Sequence, residues 1–97
     1  MHRKALVIHK RDNVAVAVSA IQAGETVIVE REKGEEVVVK DDIAFGHKFA
    51  LADLEPGETV VKYGEIIGQA SKKIRMGEHV HVHNMESRRG RGDWEEP

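Results

Sequence analysis

Ninety-seven residues suffice for one hydrophobic core of modest size and are too few for two ordinary domains. A composition of 40% hydrophobic and 33% charged residues is that of a globular chain, and a formal charge of -2 excludes the basic footprint a duplex-binding protein needs, so nucleic acid is not an expected partner. Without cysteine there is no disulfide frame or thiolate nucleophile, and without an apolar leader no membrane span or export signal is read, so the expected location is cytoplasmic.

Aromatic residues are scarce (one Trp, one Tyr, two Phe), so Val, Ile and Leu must fill the core. The run Lys4-Ala-Leu-Val-Ile-His9 predicts a first strand, and Asp12 and Asn13 predict a turn held by side-chain bonds to backbone. Val14, Val16 and Val18 then alternate with small residues, the pattern of a central strand covered on both faces. A corner motif follows and recurs. It is an apolar residue, two variable residues, Gly-Glu, one variable residue and Val: Ile21-Gln-Ala-Gly24-Glu25-Thr26-Val27, Leu54-Glu-Pro-Gly57-Glu58-Thr59-Val60 and Ile74-Arg-Met-Gly77-Glu78-His79-Val80. The apolar residue plugs the core, Gly supplies a positive φ, and Val opens the outgoing strand. Residues Thr26 to Glu30 and Glu36 to Lys40 predict a hairpin around the tip Arg31 to Glu35. Phe49 and Leu51 lie on a further strand, and Gly64 and Gly68 mark bends or close backbone contacts around a short apolar run. Many short strands, glycine corners and no helical period predict an all-β domain over residues 1–85, followed by a tail over 86–97 that is mobile or docks on a partner.

The most distinctive stretch is Gly77-Glu-His-Val-His-Val-His-Asn84. Read as an extended strand, it puts His79, His81 and His83 on one face and Val80 and Val82 on the other. His81 and His83 then have His-x-His metal spacing, and neutral imidazole suits Fe²⁺, Mn²⁺ or Zn²⁺. On a straight strand His79 and His83 are ~13 Å apart, so a bend, or His47 from another strand, must complete any site. The alternative is a solvated face or one buried against a partner, and for His79 that is the expectation. His2 and His9 show no pattern and are read as structural. Arg91-Gly92-Asp93 is read as a coincidental tripeptide.

Asp12-Asn-Val-Ala-Val-Ala, Phe45-Gly-His-Lys-Phe-Ala-Leu51, Gly57-Glu-x-Val-x-Lys62-Tyr63-Gly64-x-x-Ile67-Gly68 and the His79–Asn84 segment together resemble the small domain of the altronate dehydratase family. The resemblance implies the β-clip fold of SAF domains and a large catalytic partner, this chain being a non-autonomous subunit of a carbon-oxygen or carbon-sulfur lyase that acts on a sugar acid or sulfolactate. Such a reaction removes a proton beside a carboxylate and expels the group on the next carbon, so it needs a base, an acid and cations or a divalent metal. His47, Lys48 and Tyr63 are the catalytic candidates. Lys62, Asn84, Arg89 and Arg91 are candidates for substrate contacts or, for the arginines, for docking on the large chain. His81 and His83 are the metal candidates. Each has a structural alternative: a loop cap for His47-Lys48, a snorkelling Lys62 beside a core Tyr63, a solvated arginine tail. The rival functions are a non-catalytic carbohydrate-binding or assembly module of SAF type and a free-standing metal-binding protein. Homo-oligomers through sheet edges are a further expectation.

Overall fold

The computed structural model describes residues 4–30 and 34–87. Among these there is no helix, and the chain folds into short antiparallel strands. The strands are β1 (Ala5–Leu6), β2 (Val14–Ala17), β3 (Thr26–Glu30), β4 (Gly34–Val38), β5 (Lys48–Ala50), β6 (Thr59–Lys62), β7 (Glu65–Ala70), β8 (His79–Val80) and β9 (Met85–Ser87). Three sheets result, in the orders β1-β2-β5-β8, β3-β4 and β6-β7-β9.

The first sheet separates two small cores. Because side chains alternate along β2 and β5, Ala15, Ala17 and Phe49 face a core shared with Val27, Val29, Val37 and Ile43, while Val14 and Ala50 face a second shared with Val60, Ile74, Val80 and Met85. The two-sided covering expected of β2 is therefore real, although the strand stops at Ala17 and Val18 is exposed. The sheet β6-β7-β9 closes the second core. A side chain at Gly68 would run into the Glu86 carbonyl, so β7 and β9 meet at a position only glycine allows. β9 pairs with β7 from Met85 to Ser87.

The three corners share one geometry. Ile21, Leu54 and Ile74 are buried, and Gly24, Gly57 and Gly77 have φ of 93°, 91° and 90°. In each, the glutamate accepts a hydrogen bond at its carboxylate from the N–H three residues earlier: Gln22 to Glu25 at 2.7 Å, Glu55 to Glu58 at 2.7 Å and Arg75 to Glu78 at 2.9 Å. The motif thus does more than turn the chain, because its glutamate ties off the turn it follows. Lys4, 2.7 Å from Glu25, and the Gln22 N–H hold the Glu25 carboxyl below the usual carboxylate range.

A fourth copy departs from the motif at two positions, with His47 for Glu and Phe49 for Val. Ile43-Ala-Phe-Gly46-His47-Lys48-Phe49 has the same buried first residue, the same positive φ (85° at Gly46) and the same buried seventh residue, but His47 stands where the others carry Glu. The corners bridge in pairs, Ile21 with Ile43 and Leu54 with Ile74, which gives the fold its internal symmetry.

Candidate functional site

The histidine segment is not a continuous strand. β8 ends at Val80, and residues 81–84 turn, leaving Val82 exposed rather than on an apolar sheet face. The cause is Asn84, whose Oδ1 accepts from the His81 N–H at 3.0 Å and whose Nδ2 donates to the His79 carbonyl at 2.9 Å, while its own N–H donates to the His81 carbonyl at 3.1 Å. An asparagine side chain that satisfies the backbone this way competes directly with strand pairing. Asn84, expected as a substrate contact, is buried, and both ends of its amide hold the turn.

The bend brings the rings together. β5 and β8 pair Phe49 with His79 and Lys48 with Val80, a register that sets His47 diagonal to His79 and points it toward His81. The His47 ring centroid lies 5.0 Å from that of His79 and 4.9 Å from that of His81, and His79 and His81 are 5.4 Å apart. His47 Nδ1 and His79 Nε2 are within hydrogen-bond distance at 2.9 Å. One nitrogen from each of His47, His79 and His81 falls within 4.8 Å of the other two. His83 packs its ring 5.4 Å from His79 on the outside of this trio. Of the pair proposed from spacing, His81 joins the cluster of potential donors and His83 flanks it, while His79, read as structural, takes the central place.

Burial first, then the charges of His47, His83 and His81, hold the His79 imidazole below its ordinary pKa, although the Asp41 carboxylate works in the opposite direction. That carboxylate also accepts the His79 backbone N–H at 2.9 Å. His81 is lowered too, by desolvation and then by His47 and Lys48. Both shifts favour the neutral form that donates a lone pair.

Lys48 is half-buried beside this cluster, and its ammonium is pushed below the ordinary lysine range by desolvation and then by Lys62. Lys62 lies at the end of β6, with its Nζ 4.8 Å from the Tyr63 ring centroid. Tyr63 and Gly64 form the two-residue turn from β6 to β7, with φ of 59° and 75°. Asn and Gly normally fill such a turn, and a bulky side chain there is out of place. Asp12 secures it: buried, it accepts the Gly64 N–H at 2.8 Å through Oδ1 and the His9 N–H at 3.0 Å through Oδ2, while Asn13 accepts the Val61 N–H at 2.8 Å. The turn expected at Asp12-Asn13 is therefore also the clasp of the β6–β7 hairpin. Tyr63 is exposed and not a core residue. Arg89 and Arg91 lie outside the described residues.

The missed member, His79, was legible in two signals: the His-for-Glu replacement in the fourth corner, which aims an imidazole at the end of β5, and the Asn84 turn, which stops β8.

A small antiparallel β domain with glycine corners, carrying a convergent imidazole cluster at the end of an edge strand and lysines beside it, defines the class: an all-β module with a cluster of polar groups at its surface. Residues 3–88 match the model of the altronate/galactarate dehydratase SAF domain, and the chain belongs to that family. It is 49% identical over 77 residues to altronate dehydratase of Bacillus subtilis and 47% identical over 77 residues to that of Escherichia coli, in both cases covering 79% of this chain and only 15% of the relative. It is 40% identical over 88 residues to the (2R)-sulfolactate sulfo-lyase subunit alpha of Chromohalobacter salexigens, covering 86% of this chain and 94% of that subunit. Among the described residues no helix is long and apolar enough to cross a membrane.

Proposed function

We propose that this chain is the small subunit of a hydroxy-acid lyase and that it supplies part of a substrate and metal site at the boundary with a large catalytic chain. The observation that carries the reading is the convergence of His47, His79 and His81 at the end of an edge strand, next to Lys48. Similarity over nearly the full length of a sulfo-lyase alpha subunit supports a separate small subunit, and similarity to 15% of the altronate dehydratases supports a large remainder that does the rest.

The three imidazoles fit a divalent ion by chemistry and nearly by distance. Two nitrogens bound to one ion at about 2.1 Å are at most ~4.2 Å apart, so donors already within 4.8 Å need only a small closure. Fe²⁺, Mn²⁺ or Zn²⁺ suits such donors, and when bound would act as a Lewis acid on an oxygen of the acid substrate. Lys48 and Lys62 suit the carboxylate: two ammoniums close enough to depress one pKa are relieved by an anion between them. Tyr63, fixed on its turn beside Lys62, presents a phenolic hydroxyl that can hand a proton to a leaving group.

The test has two arms. Calorimetric titration of the isolated chain with Mn²⁺ and Zn²⁺ is expected to show one site that His47→Ala and His81→Ala each weaken by about tenfold or more. In the complex with the large chain, the same substitutions are expected to lower turnover. Unchanged turnover and unchanged metal content in both variants would leave a non-catalytic module of SAF type as the better description.

A further inference from the structure

Phe45 and Val82 are the two most exposed large hydrophobic side chains among the described residues, at 71% and 75%. Single exposed apolar residues are ordinary on any protein surface. These two are set apart by position: Phe45 lies two residues before His47, and Val82 lies between His81 and His83, so both are close chain neighbours of clustered imidazoles. Neither side chain serves the fold. Phe45 occupies the third position of its corner, which faces outward in all four copies, where Ala23, Pro56 and Met76 show that the geometry needs no aromatic residue. Val82 stands in a turn held by Asn84, with its own side chain uninvolved.

Resting on the lyase reading above, we propose that Phe45 and Val82 are the apolar anchors by which this domain docks on the large catalytic chain, sealing the imidazole cluster beneath the contact. An apolar anchor beside a ring of polar groups is the anatomy of an energetically dominant interface centre. The occupant follows from charge and from size. Lys48 and Lys62 put two neighbouring ammoniums beside this face, so a second copy of the chain would set like charges against each other, whereas a partner presenting carboxylates is complementary. The altronate dehydratases, of which this domain matches 15%, carry a far larger body to which the domain must be joined. Covering the cluster also removes water from it, which strengthens every electrostatic contact inside.

The experiment is co-expression with the large lyase chain of the same genome, with affinity capture on the small subunit and a binding titration of the purified pair. Phe45→Glu and Val82→Glu are each expected to weaken association at least tenfold, while the melting temperature of the isolated chain stays as in the wild type. Ile28→Glu, on the exposed face of the β3–β4 hairpin, is expected to leave association intact. Wild-type association that survives both glutamate substitutions overturns the docking surface and leaves the lyase assignment standing. Failure of the wild type itself to associate overturns both. A homodimer of the isolated chain that Phe45→Glu disrupts, with capture of the large chain unaffected, also overturns the proposal.

Discussion

At the scale of single residues, Tyr63 is the clearest case of a side chain kept at a cost to the fold. A φ of 59° at a residue with a Cβ costs on the order of 1 kcal/mol, and the β6–β7 turn would be content with asparagine. Replacing Tyr63 by Asn is therefore expected to raise stability by up to about 1 kcal/mol, read as a higher denaturation midpoint, and, on the lyase reading proposed above, to lower turnover of the complex with a large chain. A variant that is both less stable and fully active would refute this account of the turn. Asn84 makes the opposite case. Its amide makes two bonds to the backbone from a buried position, so Asn84→Ala is expected to cost roughly 2–4 kcal/mol in chemical denaturation. Because the same bonds bend the chain between His79 and His81, the variant is also expected to lose divalent-ion affinity. Asn84→Asp, which retains the acceptor for the His81 N–H but not the donor to His79, should fall between the two.

At the scale of elements, the four glycine corners carry the fold, and their glycines are not equivalent. Gly57 has a positive φ with open space where a Cβ would go, whereas a Cβ on Gly77 would collide with the Val38 carbonyl. Gly57→Ala is thus expected to cost about 1–2 kcal/mol from backbone conformation alone. Gly77→Ala should cost clearly more, since the β4 end must also move, and the difference is measurable as a lower urea midpoint. Equal midpoints would mean that the corner tolerates displacement of β4. The corner also shows why an element can be legible while its variants are not. Three copies were evident because Gly-Glu repeats in them, and their glutamates prove to bond back across the turn. The fourth lacks the Gly-Glu pair because His47 replaces the glutamate, and that replacement brings an imidazole from the corner into the histidine cluster.

At the scale of the whole molecule, the placement of neutral imidazoles makes stability depend on pH. His79, through burial and its imidazole neighbours, and His81, through desolvation and then His47 and Lys48, have folded-state pKa values below the ordinary histidine value of 6.5. The unfolded chain therefore binds more protons than the folded one in the window between the depressed values and 6.5, and stability falls as pH drops through that window. Their neutral forms impose no penalty above it. Melting temperatures of the metal-free chain are expected to decline from pH 7 toward pH 5, with the slope reduced in His79→Asn; a flat profile in the wild type would show that the cluster does not resist protonation. The sequence by itself determined the strand-and-corner architecture, because alternation and glycine conformations are local properties that the backbone obeys wherever they occur. It determined the family likeness and brought His47, His81 and Lys48 into view. Only the tertiary structure decided which imidazoles meet: the β5–β8 register and the Asn84 turn, both set by contacts between segments distant in the chain or by a side chain competing with strand pairing, put His79 at the centre and His83 at the edge.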